Sequence, residues 1–322
     1  MPWSLTSDGK VRKLPPRDVG TTTGFIDLHQ DMLAGVALLE GDFSVYGSNY
    51  LTGPCEATAV WSSLFPQDVE SSLLTQLAAH DQMLRSHSAA LRLITYREDL
   101  DADDRRTGVL PHSEGLHLPA IGPDALETLW SEHSLRSLSL TWNYETEYGY
   151  SCYDDNTAPL KPSGRQLLSA LERSPLFLDV SHLNDAGFYE VLDRYSPPVL
   201  ATHSPCRSIV DHPRGLTDDQ LRALGDHGGL VGQAFCPDFL GQRGSVDEAL
   251  RHLDRVASLA GENAVSIGSD WGHAPMGELR DTGSLVGLVS AVSSMYGHDL
   301  AAKFAYANAD AFLRRWLPTR SS

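Results

Sequence analysis

No stretch of this chain approaches the roughly 20 consecutive apolar residues of a membrane-crossing helix, so no spanning segment is expected. The opening Met1-Pro-Trp-Ser-Leu-Thr-Ser-Asp-Gly-Lys10 lacks the apolar core of an export signal, and Trp316-Leu-Pro-Thr-Arg-Ser-Ser322 lacks a hydrophobic anchor tail. Cysteine is scarce: Cys55, Cys152, Cys206 and Cys236 are scattered, with no CxxC pair. They read as reduced packing thiols of a cytoplasmic protein. Positive charge is also short, 25 basic residues against 42 acidic, for a net −17. That balance argues against nucleic acid and against an anionic membrane as partner. Also missing is a glycine-rich phosphate turn after the first apolar run; His29-Gln30-Asp31 stands there instead.

What is present is organised around Gly24-Phe25-Ile26-Asp27-Leu28-His29-Gln30-Asp31, an apolar run ending in polar residues. In an extended strand residues i and i+2 face the same side. His29 and Asp31 therefore aim at one point, and imidazole with carboxylate suits a divalent metal such as zinc. Residues 1–22 read as an irregular lead-in and 32–55 as a glycine-rich loop. Ala57 to Phe65 is a second strand, ended by Pro66. A helix from Gln67 then sets Val69, Leu73, Leu77 and Leu84 on one stripe. Leu91 to Thr95 is apolar but short, and Asp101 to Arg106 is a charged connector. Further strands are expected at Thr107 to His117, Leu135 to Thr141, Leu176 to Val180, Pro198 to His203, Gly229 to Phe235 and Ala264 to Gly268. Between them Pro123 starts a helix, Asn184 caps another, and Ser163/Gln166, Thr217/Gln220 and Ser245/Glu248 read as capping boxes. A long aromatic loop runs from Trp142 to about Pro162.

Strands alternating with helices imply parallel βαβ units. Eight such strands in 322 residues fit one (β/α)8 TIM barrel over 1–322. A doubly wound sheet is the rival, but it needs the glycine-rich turn that is absent. In a parallel barrel all C-terminal strand ends open on one face, where barrel enzymes place their chemistry. Those ends carry His29 and Asp31, Glu114, His182, His203 and Asp270. This set suffices for two divalent cations, with the two oxygens of Glu114 free to bridge. Asp27 and Asp179 either cap backbone amides or orient metal ligands from behind; for Asp27 the second is expected.

Several motifs then line up in order and approximate spacing: Asp27-Leu-His29-Gln-Asp31, Ser113-Glu114-Gly-Leu-His117, Leu138-Ser-Leu-Thr141, Leu178-Asp-Val-Ser-His182, Pro198-Val-Leu-Ala-Thr-His203-Ser, Arg214-Gly-Leu-Thr-Asp-Asp219 and Ile267-Gly-Ser-Asp270. Through them the chain resembles the membrane (renal) dipeptidase family over nearly its whole length. The resemblance implies a metal-dependent hydrolase barrel of the amidohydrolase type, cleaving a small peptide-like substrate with two zinc ions per chain. It implies that His29 and Asp31 hold one zinc, that His182 and His203 hold the other, and that Glu114 bridges them. Asp270 is then the catalytic proton shuttle, with Glu114 beside it, and Arg214 holds the substrate carboxylate. The alternative for Arg214 is a surface ion pair with Asp211 or Asp218. Members of this family are often homodimers.

Two departures stand out. Where the family has a histidine that contacts the substrate carbonyl, this chain has Trp142. An indole donates one hydrogen bond and carries no charge, and losing such a donor costs on the order of 10²-fold in rate. After Asp270, Trp271-Gly272-His273 replaces the family's Phe-Asp-Gly, and His273 is expected to supply the missing imidazole. Trp142, Tyr144, Tyr148 and Tyr150 either line a substrate pocket or pack their own loop. Three functions follow: a dinuclear zinc dipeptidase, a specialised amidase on a modified peptide or secondary-metabolite intermediate, or a metal-retaining homologue without turnover.

Overall fold

The computed structural model describes residues 3–5, 11–13, 24–38, 42–64, 73–102, 105–116, 123–272 and 275–320. Eight parallel strands close into a barrel: β1 (Phe25–Gln30), β2 (Ala57–Leu64), β3 (Thr107–Ser113), β4 (Ser137–Ser139), β5 (Phe177–Asp179), β6 (Leu200–Ala201), β7 (Leu230–Gln233) and β8 (Val265–Ile267). Neighbours run in chain order, β8 pairs with β1, and the β2–β3 ladder runs from Ala59↔Gly108 to Leu64↔Ser113. Every residue of β1 and β3 is buried. These strands are covered on both faces, which is why they read as apolar runs rather than alternating ones. The short strand Leu91–Leu93 pairs with the base of β3, outside the eight.

Alternation splits the apolar side chains into two sets. Phe25, Val60, Val109, Leu178 and Val231 pack outward against the helices. Ile26, Leu28, Trp61, Leu110, Phe177 and Leu200 fill the barrel, and Phe312, Leu313 and Leu317 close it from below. Phe312 and Leu313 belong to helix Asn308–Trp316, and Leu317 is the residue just after it. The upper part of the barrel is thus left to polar side chains.

Strand existence and order match the sequence expectation, while most strands are shorter at their ends. Residues 32–55 depart from it. They hold α1 (Met32–Leu38) and α2 (Phe43–Tyr50), not a loop. Glycine was the misleading signal: a Cβ on Gly35 would lie 2.6 Å from the Tyr46 ring, so this glycine serves close packing of the two helices. The Ser163/Gln166 box does not form. Helix Pro162–Leu171 starts on Pro162, whose locked φ suits the first helical position, so Ser163 lies inside the helix. Asn184, Thr217 and Ser245 cap as expected. In the lead-in, Trp3–Leu5 and Val11–Lys13 pair antiparallel. Val69 and Pro66 lie outside the described residues.

Candidate metal centre and active site

Each strand end delivers its side chain by a local device. β1 loses register with β2 between Asp27 and Gln30, and Asp31 sits just past the strand, its carbonyl accepting from Gly35 N. The convergence of His29 and Asp31 therefore comes from this irregular strand end rather than from simple pleating. His29 Nε2 lies 3.2 Å from Asp31 Oδ1. His182 and Asp270 both sit at φ 66°, two of only three non-glycine residues with positive φ among the described residues. That left-handed turn redirects each side chain right after β5 and β8. It costs of order 1–3 kcal/mol, a strain that clusters at functional sites.

The six predicted residues are brought together and buried. Glu114 Oε1 lies 2.6 Å from His182 Nε2 and 3.0 Å from His203 Nε2. Its Oε2 lies 3.8 Å from His29 Nε2, and Asp270 Oδ1 is 3.7 Å from the same nitrogen. Three overlapping triads, each with ligand atoms within 4.8 Å of one another, result: His29, Asp31 and Glu114; Glu114, His182 and His203; and His29, His203 and Asp270.

The hydrogen bonds around the rings decide which nitrogens are bare. His182 Nδ1 faces Asn143 Oδ1 at 2.9 Å, and an amide oxygen only accepts, so Nδ1 carries the proton. Thr202 Oγ1 donates to Asp179 Oδ2 at 2.7 Å, which leaves the Thr202 hydroxyl oxygen to accept from His203 Nδ1 at 2.9 Å. Both Nε2 atoms are then unprotonated, yet they lie 3.0 Å apart and beside the same carboxylate oxygen. Lone pairs crowded in this way need a cation among them. In addition, His29 Nδ1 and Nε2, Asp31 Oδ1 and Glu114 Oε1 are buried without a hydrogen-bonding partner, a costly condition unless something else satisfies them. Imidazole and carboxylate together fit zinc.

Electrostatics agree. Burial pushes the His29 imidazole down, but Glu114, Asp31 and Asp270 outweigh it and hold it up at about 10. Three carboxylates thus recruit a positive charge when no metal supplies one. Burial raises Asp31 to about 7 and also raises Asp270. Glu114 is pushed up by burial yet ends at about 2, because His29 and His182 face it. Burial holds His182 and His203 well below the ordinary imidazole value, with Arg214 adding to both.

Asp27 corrects one expectation. It accepts from the backbone N–H groups of His29 and Ser269, and from Ser269 Oγ and Gln30 Nε2. It ties β1 to the end of β8 and, among the described residues, bonds no imidazole. Asp179 is the residue that reaches a ring, through Thr202. Arg214 is buried; its Nη2 donates to His203 O at 3.0 Å, its Nε has no partner, and it lies over the Phe239 ring. Among the described residues no carboxylate pairs with it, and Asp218 is taken by Arg255, so the surface ion pair is not formed. Trp142 lies 6.3 Å from His182 and 5.6 Å from Tyr144, ring to ring, at the mouth. Tyr148 is buried in the core and Tyr150 lies under Lys161, so these two pack the loop. His273 and His117 lie outside the described residues.

Sequence reasoning missed Asn143, Thr202 and His112. His112 is fully buried, 3.4 Å from Asp179 Oδ2 and 5.8 Å from the His29 ring. Its place two residues before Glu114 in β3 was a usable signal. Asn143 had none, being in an irregular loop.

The sequence profile of the family described as membrane dipeptidase (peptidase family M19) matches residues 38–315. An uncharacterized protein of Klebsiella pneumoniae, from the pqqA 5′ region, is 30% identical over 250 residues, covering 73% of this chain and 91% of that protein. Dipeptidase aclJ of Aspergillus oryzae is 27% identical over 178 residues, covering 51% of this chain and 41% of that protein. The solved structure of dipeptidase AC, described as a metallopeptidase of family M19, superposes with a TM-score of 0.77 at 26% identity, covering 92% of this chain and 99% of that one.

Proposed function

The chain belongs to the membrane dipeptidase family, peptidase family M19, and from that premise we propose that it is a dinuclear zinc dipeptidase hydrolysing small dipeptides. The metallo-hydrolase barrel is common to the family; the two zinc ions, the dipeptide substrate and the role of each residue are our reading. The observation that carries it is the convergence of His29, His182 and His203 nitrogens with Asp31 and Glu114 oxygens in one buried cluster.

In this reading His29 and Asp31 would hold one ion and His182 and His203 the other, with Glu114 placed between the two sets. Zinc bound there supplies Lewis acidity toward the amide carbonyl and lowers the pKa of water. Asp270, beside His29 at the rim, takes the proton of the attacking water and returns it to the leaving amine. Water is thereby added across the C–N bond, OH to carbon and H to nitrogen. Arg214 offers its planar fork to the terminal carboxylate of the dipeptide. Trp142 occupies the mouth with a single N–H and no charge, which favours a specialised amide substrate as the second reading. Four buried free thiols support a reducing, cytoplasmic setting, and a homodimer is the assembly we propose from the family resemblance.

Metal analysis of the purified chain with a dipeptide panel tests this. Two zinc equivalents per chain, and turnover abolished by chelation and restored by zinc, are expected. Zinc with no turnover on any dipeptide sinks the dipeptidase reading, and fewer than two equivalents sinks the dinuclear one.

A further inference from the structure

Three aromatic rings from three different loops stand in a row beginning at Arg214. The guanidinium carbon lies 5.6 Å from the centre of the Phe239 ring. Phe239 lies 5.1 Å from the His212 ring, and His212 lies 6.2 Å from Tyr153, nearly perpendicular to it. Phe239 belongs to the short helix Pro237–Leu240 after β7, His212 to the connection after β6 and Tyr153 to the long loop after β4. All three loops therefore rise from the face that carries the candidate metal centre. His212 is also fixed from below, its Nδ1 accepting from the backbone N–H of Arg214. Tyr153 remains 47% exposed, although a ring of that size gains from cover. Cys152, His182, Ser204 and Arg214 line one cleft, so Arg214, where the row begins, borders the same space as His182 of the candidate metal centre.

We propose that Phe239, His212 and Tyr153 form a specificity wall that receives a flat apolar side chain on the carboxyl-terminal residue of the substrate. This rests on the dipeptidase reading. A carboxylate seated on Arg214 places the adjoining α-carbon within reach of Phe239, and its side chain runs along the row toward Tyr153. An alanine there leaves the rings wet, whereas a phenyl group covers them. The wall is built from this chain's loops and is separate from Trp142, which stands beside His182, and from Tyr144 against it.

The test compares kcat/KM for glycyl-phenylalanine and glycyl-alanine, in both configurations of the second residue, using the zinc-loaded enzyme. Preference for phenylalanine by about tenfold or more is expected, the usual scale for filling an apolar pocket. Phe239→Ala and Tyr153→Ala are expected to bring the ratio toward one, and Tyr153→Phe to keep it. Arg214→Lys lowers both substrates through KM and leaves the ratio standing. A wild-type ratio near one, a preference for glycyl-lysine, or a ratio unmoved by both alanine variants overturns the wall while leaving the dipeptidase reading intact. Loss of activity on both substrates in equal measure marks a merely structural role and likewise overturns it. No hydrolysis of any dipeptide overturns the reading beneath it as well.

Discussion

A residue held at positive φ is informative because the backbone resists the conformation. Asp270 and His182 are both held so, and among side chains Asp, Asn and His tolerate it best. Asp270→Asn is therefore expected to keep the fold, with an unchanged circular dichroism spectrum. Its amide cannot accept and return a proton as a carboxylate does, so kcat falls by about 10²–10⁴. Behind His203 the chain Asp179–Thr202–His203 sets the proton on Nδ1. Asp179→Asn weakens that arrangement, and zinc affinity measured against a competing chelator is expected to drop about 10–100-fold. Asp27→Asn, by contrast, disturbs backbone ties between β1 and β8 and is expected to act on stability before affinity.

At the scale of elements, the metal face is assembled where β6, β7 and β8 crowd together. A Cβ on Gly268 would fall 1.7 Å from Thr202 O, and one on Gly232 would fall 1.8 Å from the same oxygen. Thr202 is the residue that supports His203, so packing and chemistry share an atom's neighbourhood. Gly268→Ala is expected to destabilise by about 1–3 kcal/mol through overpacking and to lower zinc affinity with it. Gly287 offers the opposite case: it lies exposed within helix Thr282–Tyr296 with nothing near its missing Cβ. Gly287→Ala removes backbone freedom from the unfolded chain and is expected to stabilise by about 0.5–1 kcal/mol. Urea unfolding of both variants checks the two signs.

For the whole molecule, stability depends on buried histidines that are not among the candidate metal ligands. His252 Nδ1 accepts from Cys206 N and its Nε2 bonds Leu240 O, so only the neutral ring fits its site. Burial lowers His252 to about 4, and burial lowers His80, both of whose nitrogens lack partners, to about 4 as well. Between the ordinary value of 6.5 and about 4, the unfolded chain takes up protons that the folded one refuses. Stability is therefore complete above pH 6.5, declines as pH falls toward 4 and levels off below, by up to about 3 kcal/mol per histidine. Urea midpoints across that range should show the decline, and His252→Gln should reduce it by about half, leaving the His80 share.

How much was legible before the structure varied with the distance over which each feature is decided. Eight strands, their order and the acidic and imidazole groups at their ends were readable, because apolar runs and Gly/Pro punctuation are written into neighbouring residues. The helices at Met32–Leu38 and Phe43–Tyr50 were not. Gly35 reads locally as a loop former, and only contact with Tyr46 shows it to be a packing device. Nor were the ring protons set by Asn143 and Thr202, the backbone ties made by Asp27, or the ring row at Arg214. These depend on where irregular loops return after leaving the barrel. The sequence by itself determined which candidate ligands exist and on which face they emerge. Tertiary structure alone decided which nitrogens are bare and which rings wall the cleft, because hydrogen bonds and ring contacts between residues tens of positions apart follow from loop paths that no local pattern encodes.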